Sequence, residues 1–368
     1  MKKPRMCFSD DTLTGLKCLT DPAAVRLGRL KMLSRPASGK AGGSGAGRRG
    51  RVSALAFMLV AAIGGGMFAT GCAKQKTFVM VPKGEHPFYE PCAKGFREAG
   101  EEAGVRTEFI AAKTYDLAKQ VEIIEGLIAR RVDGIAISAL SDQGLVPVIE
   151  KATQAGIKVV TFDAPAPSSA ALAYIGTGNE AAGYTVAENL IPLMNGRGEV
   201  AVFQGGLDAP NLNDRYKGFA RCLAEKAPEI KIVAREDTGA DFDTTTQKVR
   251  EALRAHPRLK AIFGFSAEVC PGAISALKEE GKAGTIILAG FDDLPGTRDG
   301  LREGIVSFAI VQRAYNMGWL SVHSLLDAIN GKPLPQQIDT GMFLVNRHTV
   351  NSLGPVPVVG AAAKAGSS

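Results

Sequence analysis

Residues 134–163, GIAISALSDQGLVPVIEKATQAGIKVVTFD, decide the fold class of this chain. The segment opens on a short apolar run, Gly134–Ser138, and closes on a second one, Lys158–Phe162. Between them, Val146 to Gly156 carries apolar residues at helical spacing. Both runs are almost wholly apolar, which is typical of strands that helices cover on both faces. The segment therefore predicts a strand–helix–strand unit of a buried parallel sheet.

The same alternation extends to both sides of this segment. It begins with a predicted strand at Thr77–Pro82 and starts again after Asn179. Each half supplies about five strands, which favours two doubly wound units in tandem over the alternative of one eight-fold barrel. The other predicted strands are Glu108–Ala111, Glu199–Phe203, Ile230–Ala234, Leu259–Phe263, Thr285–Gly290, Ile305–Ile310 and Gly341–Val345. The other predicted helices are Phe88 to Gly104, Leu117 to Arg131, Ala181–Met194, Asp214–Ala227, Thr244–His256, Cys270–Glu280 and Tyr315 to Asn330.

The positive charge of the chain is concentrated at its amino-terminal end. Of the 44 Lys and Arg, 12 lie in residues 1–71, together with only 3 of the 37 Asp and Glu. The remaining residues hold 32 basic and 34 acidic side chains, so the body of the protein is nearly neutral. A neutral body offers a polyanion no electrostatic attraction, which argues against a nucleic-acid partner.

Residues 1–71 have the features of an export leader. A cluster of Arg48, Arg49 and Arg51 precedes an uncharged run from 52 to 73. A cationic cluster followed by an apolar stretch and small residues is typical of a secretory signal. The end of the run, Ala69-Thr70-Gly71-Cys72, resembles the lipobox of bacterial lipoproteins, which implies that Cys72 is acylated and becomes the first mature residue. The alternative is a transmembrane anchor, since about 20 apolar residues can span a bilayer.

Three cysteines, Cys92, Cys222 and Cys270, lie beyond the leader. None has the spacing of a metal site, and three cysteines cannot all pair. Small buried hydrophobic side chains are the favoured interpretation, and a Cys222–Cys270 disulfide remains open.

Polar and aromatic side chains follow most of the predicted strands. In an open parallel sheet, ligands bind beyond the carboxyl ends of the strands. Carboxylates accept hydrogen bonds from neighbouring hydroxyls, and a guanidinium donates to others, so such a set suits a polyol. The candidate ligand-binding residues at these positions are His86, Phe88, Tyr89, Asp163, Arg215, Phe242, Ser266, Asp292 and Gln312.

The sequence offers little that indicates catalysis. It has no HExxH, GxSxG or P-loop motif, and of its four histidines only His86 follows a predicted strand. A hydrolase with Asp163 and Asp292 as paired carboxylates is the remaining enzymatic alternative. No cofactor is expected.

From Thr77 to about Asn351 the chain resembles the ribose-binding type of periplasmic binding protein, which shares its fold with the ligand domain of lactose-repressor-type regulators. The stretches that carry the resemblance are HPFYEPCAKGF, RRVDGIAIS, GIKVVTFDAP, YIGTGNEAAG, DRYKGF, ADFD, AIFGFSAE, LAGFDD and VQRAYNMG.

The resemblance assigns roles to individual residues. Phe88 and Tyr89 resemble stacking aromatics, and Phe242 resembles the aromatic of the second lobe. Asp163 and Asp292 resemble carboxylates that bind hydroxyls; Arg215 resembles the sugar-clamping arginine and Gln312 the glutamine beside the hinge.

Three positions depart from the pattern of ribose binders. His86 replaces a frequent Asn, Ala164 replaces an Arg, and Ser266-Ala267 replaces Asn-Asp. These changes remove hydrogen-bond donors, so we expect the specificity to differ from that for ribose.

The resemblance also implies an organisation and a function. It implies an amino-terminal lobe of residues 77–177 plus 312–338 and a carboxy-terminal lobe of 178–311 plus 339–352, joined by three crossings. The composition of residues 353–368 separately predicts a disordered tail. The implied function is capture of a small sugar or polyol by hinge closure, for an ABC importer permease, by a lipid-anchored monomer of the cell envelope. The alternative is a receptor for a membrane sensor or chemoreceptor, with a ligand such as autoinducer-2. A repressor would need a helix-turn-helix where this chain has the lipobox-like sequence.

Overall fold

Two six-stranded sheets organise the computed structural model, which describes residues 74–352. The predicted leader at 1–71, Cys72 and the predicted disordered tail at 353–368 lie outside this range. The first sheet contains β1 (Thr77–Val81), β2 (Arg106–Phe109), β3 (Gly134–Ile137), β4 (Lys158–Phe162), β5 (Tyr174–Gly176) and β11 (Gln337–Asp339). The second contains β6 (Arg197–Gln204), β7 (Glu229–Asp237), β8 (Leu259–Gly264), β9 (Ile287–Phe291), β10 (Val306–Gln312) and β12 (Met342–Val345).

The two sheets have the same strand order. The first runs β11-β5-β4-β3-β1-β2 and the second β12-β10-β9-β8-β6-β7. Within each, the first five strands along the chain follow the 2-1-3-4-5 order of doubly wound folds. All pairs are parallel except β12, which runs antiparallel to β10. The predicted fold class is therefore confirmed, and the barrel alternative is wrong.

The chain crosses between the two sheets three times. It leaves the first sheet after β5, returns to it with β11, and rejoins the second sheet with β12. The segment that carries β11 and β12 therefore contributes a strand to each sheet, whereas alternation in the sequence had indicated only two consecutive units.

Helices cover both faces of each sheet in this part of the chain. Neighbouring strand residues alternate between faces, so Val202 packs into one hydrophobic cluster and Phe203 into the cluster on the opposite side. The helices are α1 (Tyr89–Ala103), α2 (Leu117–Arg130), α3 (Asp142–Gln154), α4 (Asn179–Leu193), α5 (Pro210–Lys226), α6 (Phe242–Ala255), α7 (Val269–Glu279), α8 (Pro295–Glu303) and α9 (Ala314–Ile329).

Most predicted elements agree with the structure to within a few residues, and four short ones were missed: β5, β11, α8 and a 3₁₀ turn at Val350–Ser352. The strands β5 and β11, which pair with one another, have only three residues each. A segment of three residues is too short to show a hydrophobic period. Helix α8 has nine residues with charged side chains on much of its surface. The predicted strand at Glu108–Ala111 starts two residues too late, because the edge strand β2 has no fully buried residue.

Glycines bring helices α4 and α5 into close contact. A Cβ atom added to Gly183 would lie 1.9 Å from the carbonyl oxygen of Arg215, and one added to Gly218 would lie 1.9 Å from that of Glu180. No larger residue fits at either position without separating the two helices. This contact fixes α5, which carries Arg215 at its buried side.

The cysteines of the described region are not paired. Cys92, Cys222 and Cys270 are free and buried, which confirms their interpretation as small core side chains. A Cys222–Cys270 disulfide is not formed.

Candidate ligand-binding site

Residues that follow strands of both sheets line one shared cavity of about 30 Å³. Eight of the nine residues predicted from the sequence contribute to its wall, and Phe242 does not. The first sheet and its connections supply Lys83, His86, Phe88, Tyr89, Tyr115 and Asp163. The second sheet and its connections supply Gly205, Asn211, Leu212, Arg215, Ala240, Ser266, Ala267, Glu268, Asp292 and Gln312.

Asp163 and Asp292 occupy equivalent places in the two sheets. Each directly follows the fourth strand of its sheet along the chain, β4 or β9. Each has left-handed backbone geometry, with φ of 57° and 63°. Non-glycine residues seldom adopt this region, although Asp tolerates it better than most. Both carboxyl groups are thereby placed at the cavity rather than along the continuing strand.

The carboxylate of Asp163 is held by neighbours from both sides of the cavity. Its Oδ2 accepts hydrogen bonds from the Ser138 hydroxyl at 2.7 Å and the Tyr89 hydroxyl at 3.1 Å. Its Oδ1 accepts from Asn211 Nδ2 at 3.3 Å, and Lys83 Nζ lies 3.5 Å from Oδ2. With a residue exposure of 3%, this side chain is buried, and its Oδ1 accepts only one of these hydrogen bonds.

Arg215 is the largest buried polar side chain, with 1% exposure. Its Nε donates to Asn179 Oδ1 at 2.9 Å, and one terminal nitrogen donates to the Phe265 carbonyl at 2.7 Å. The other terminal nitrogen donates to Gln312 Oε1 at 2.6 Å. The guanidinium carbon lies 4.0 Å from the centre of the Phe291 ring. These contacts fix the plane of the guanidinium, which suits it to recognise a ligand of defined shape.

Gln312 joins Arg215 to Asp292. Its Oε1 accepts from Arg215 and, at 2.9 Å, from the Thr177 hydroxyl. Its Nε2 donates to both oxygens of Asp292, at 3.1 and 3.2 Å. Arginine and carboxylate are therefore connected through a neutral amide whose orientation the network determines.

Burial raises the pKa of Asp292 to about 7, and the nearby Arg215 cation only partly opposes this effect. Asp293 and Asp163 raise the pKa further, and the amide of Gln312 lowers it. Asp292 thus changes its protonation near neutral pH.

We expect this titration to affect stability. Because the folded-state pKa of Asp292 exceeds its unfolded value, the stabilising contribution of the proton is complete below about pH 4 and is lost as pH rises through about 7. Relative to the Asp292→Asn variant, the wild type should lose about 3 kcal/mol of free energy of unfolding between pH 5 and pH 8, because about two pH units of this range lie below the folded-state pKa and each is worth about 1.4 kcal/mol. Urea unfolding of both proteins across this range measures the difference. A constant difference would contradict the buried, titrating carboxyl.

Ser266 and Glu268 form a second polar cluster at the wall. Glu268 Oε1 accepts from the Ser266 hydroxyl at 2.6 Å and the Thr238 hydroxyl at 2.7 Å. The Ser266 oxygen in turn accepts from the backbone N–H of Gly205 at 2.9 Å. Glu268 follows the same predicted strand as Ser266, and the structure adds its buried carboxylate to the nine predicted ligand-binding residues.

Aromatic rings form one side of the site. The rings of His86 and Phe242 are stacked with centres 5.9 Å apart, so Phe242 contacts His86 although it does not line the cavity itself. Phe88 packs edge-on against Tyr89 at 5.1 Å. His86 Nδ1 accepts from the Phe88 N–H at 3.2 Å, and its buried Nε2 has no partner among the described residues. Burial lowers the pKa of His86, which keeps the ring uncharged at neutral pH.

Lys83 is the most important residue that sequence reasoning missed. It is 4% exposed, and its Nζ donates to Asn211 Oδ1 at 2.9 Å in addition to its contact with Asp163. Its position two residues after β1 is the available signal, since the other site residues also follow strand ends. Lys83 supplies a cationic donor beside Asp163, where the adjacent Ala164 has none.

Within residues 74–352, no group of three or more His, Cys, Asp or Glu side chains is arranged to hold a metal ion. Among the helices of the same range, none combines the length and apolar character needed to cross a membrane.

Comparisons with known proteins identify the family of this chain. The family model described as periplasmic binding protein domain matches residues 77–333. A solved ABC transporter solute-binding protein from Burkholderia graminis, in complex with D-arabinose, is 40% identical; the match has a TM-score of 0.73 and covers 75% of this chain and 97% of that one. A glucose–galactose binding protein from Geobacillus stearothermophilus is 29% identical, with a TM-score of 0.72, 74% coverage of this chain and 98% of that one.

A curated relative points to the same family. The D-ribose/D-allose-binding protein of Pseudomonas aeruginosa is 26% identical over 223 residues, which span 59% of this chain and 69% of the relative. The family model covers well over half of the chain, and the relatives are binding proteins. The chain therefore belongs to the periplasmic binding protein family, as a sugar-binding-type member of the ribose-binding group and not as an enzyme.

Proposed function

We propose that this protein captures a neutral monosaccharide in the cavity between its two sheets and delivers it to an ABC importer. The observation that carries the proposal is the balance of buried charge around the cavity. Lys83 and Arg215 face the carboxyl groups of Asp163, Glu268 and Asp292, and the last of these has its pKa raised to about 7. Such a site carries little net charge and many fixed donors and acceptors, which suits hydroxyl groups better than an ion.

The relatives support a sugar of five or six carbons. Of those reported above, one was solved in complex with D-arabinose, and the other two are named for glucose and galactose and for D-ribose and D-allose. In our proposal, Asp163, Arg215 and Asp292 hydrogen-bond the hydroxyls, with Gln312 and Ser266 supporting them. Phe88, Tyr89 and the His86–Phe242 stack cover the C–H faces of the ring.

Capture requires movement of the two walls. A cavity of about 30 Å³ is much smaller than ligand pockets of about 300–1,000 Å³, so a sugar enters only when the walls separate. We propose that residues 77–177 plus 312–338 and residues 178–311 plus 339–352 move as two lobes about the three crossings. This hinge motion is a known mode of closure around a ligand.

A sugar panel tests the proposal directly. Thermal-shift measurements with D-arabinose, D-ribose, D-allose, D-glucose and D-galactose should show a higher melting temperature for at least one sugar, since a ligand that binds only the folded state stabilises it. Titration calorimetry then gives the affinity, and solution scattering should show a smaller radius of gyration at saturation. If none of these sugars binds, the proposal is wrong. Turnover of a glycoside that is lost in Asp163→Asn would instead favour the paired-carboxylate hydrolase.

Delivery to an importer is favoured over the sensor alternative by the relatives. The solved protein with 40% identity is an ABC transporter solute-binding protein. Family membership supports a location outside the cytoplasm, where an importer receives its solute.

We further propose that Cys72 carries the lipid anchor, on the strength of the sequence Ala69-Thr70-Gly71-Cys72 alone. Wild-type protein expressed in a bacterial host should incorporate labelled palmitate and fractionate with membranes. Cys72→Ala should remain unlabelled and accumulate as precursor or soluble protein. Equal labelling of both proteins would exclude acylation at this cysteine.

A further inference from the structure

The hydroxyl of Tyr174 makes hydrogen bonds with three polar groups at the first crossing between the sheets. It lies 2.9 Å from the carbonyl oxygen of Asp163 and 3.0 Å from that of Thr177, and it donates its one proton to this pair. It also accepts a hydrogen bond from Asn179 Nδ2 at 2.9 Å. Tyr174 belongs to β5, and Asn179 is the first residue of α4 on the other side of the crossing.

The side chain of Asn179 extends this connection to Arg215. While its Nδ2 donates to Tyr174, its Oδ1 accepts from Arg215 Nε at 2.9 Å. Asn179 is 6% exposed, so an amide that lost one of these partners would not be compensated fully by solvent. The two bonds together determine which way the amide faces, and hence the acceptor that Arg215 finds.

Gly176 makes room for the Tyr174 hydroxyl. A Cβ atom at residue 176 would lie 2.3 Å from that oxygen, much closer than any real contact. The phenol therefore folds back over the strand only because residue 176 has no side chain. Its backbone φ is not in the left-handed region, so an alanine there is excluded by the tyrosine and not by the backbone.

We infer that Tyr174 is a positioning residue for ligand capture: through Asn179 it sets the orientation of Arg215 and ties it to the strand end that carries Asp163. The inference rests on the proposed function, because it assumes that Asp163 and Arg215 bind the same ligand. Tyr174 lies outside the lining of the central cavity, so it acts through its neighbours. Its hydroxyl links groups from both sides of the crossing and stabilises the closed arrangement.

Tyr174→Phe tests the link with minimal change in volume. We expect sugar affinity to fall by roughly tenfold, the scale of one or two lost hydrogen bonds. The loss should appear as faster dissociation with an unchanged association rate, measured by stopped-flow fluorescence, because the link joins residues on both sides of the first crossing and so holds the bound complex closed. Tyr315→Phe is the matched control, since it removes a hydroxyl that donates to Glu98 at 2.7 Å, outside the lining of the cavity. It should leave both rates unchanged.

A double-mutant cycle separates positioning from a purely structural role. If Tyr174 acts through Asn179, then adding Tyr174→Phe to Asn179→Ala should cause no further loss of affinity. Losses that add would overturn the inference, as would wild-type affinity in Tyr174→Phe.

Gly176→Ala provides an independent perturbation that retains the hydroxyl but displaces it. It should reproduce the faster dissociation of Tyr174→Phe, and a wild-type rate would count against the inference. Wild-type binding to the sugar panel is measured first. Failure there concerns the proposed function, whereas failure of the variants with an intact wild type concerns Tyr174 alone.

Discussion

Arg215→Met should weaken sugar binding by a factor of about thirty to several thousand, corresponding to about 2–5 kcal/mol for one truncated member of a buried hydrogen-bonded charge network. The methionine fills a similar volume but offers no donor. Asn179 Oδ1, the Phe265 carbonyl and Gln312 Oε1 would each lose the hydrogen bond that they receive from Arg215. The ligand would lose its guanidinium contact, and Asp292 would lose the nearest cation that stabilises its charged form.

Two further substitutions show whether the geometry or the charge of Arg215 matters. Arg215→Lys keeps a cation but has no planar fork, so it cannot serve three fixed acceptors at once. We expect it to bind sugar more weakly than wild type by at least about tenfold. Arg221→Met is the matched control on the same helix, because Arg221 is exposed and pairs with Glu180 at the surface. Calorimetric affinities of all three variants decide the matter: wild-type affinity in Arg215→Met would remove Arg215 from the site.

Most residues of this site could be predicted from the sequence because one geometric rule places them together. Parallel strands place the residues after their carboxyl ends at a common edge. Asp163, Ser266 and Asp292 follow strands in this way, and the structure gathers them around one cavity although they are distant in sequence. The alternation of apolar strands and helices likewise sufficed for the fold class.

The parts of the site and of the fold that the sequence did not predict depend on contacts between residues that are distant in the chain. A lysine after a strand is ordinarily exposed, and Lys83 is buried only because Asp163 and Asn211 meet it there. Strands β5 and β11 each have three residues; β5 is held between β4 and β11, and β11 pairs with β5 although the two lie far apart in the chain. The link from Tyr174 through Asn179 to Arg215 joins residues of three elements, and each of them alone is an ordinary polar residue of a strand or helix.

Breaking the buried ion pair of Lys83 and Asp163 should strongly lower the free energy of unfolding. Asp163→Asn leaves the Lys83 ammonium, whose pKa burial already lowers, without its carboxylate partner. Lys83→Met leaves the Asp163 carboxylate with only its neutral donors Tyr89, Ser138 and Asn211. Breaking a buried ion pair from one side costs about 3–5 kcal/mol, so each single variant should unfold at distinctly lower urea concentration than wild type.

Combining Lys83→Met with Asp163→Asn separates stability from sugar binding. Replacing both charges leaves no unpaired ion, so the double variant should regain most of the free energy of unfolding that either single variant loses. Sugar affinity should not recover, because the amide introduced by Asp163→Asn offers one acceptor oxygen where the carboxylate has two, and a hydrogen bond to a charged group is worth about 1.5–3 kcal/mol. Urea unfolding and calorimetry on the four proteins complete the cycle. Recovery of both properties together would mean that Lys83 and Asp163 serve only to neutralise each other, whereas recovery of stability alone shows that the pair contacts the sugar. The Asp163 carboxylate is identified as an acceptor for the sugar if Lys83→Met binds it more tightly than the double variant does.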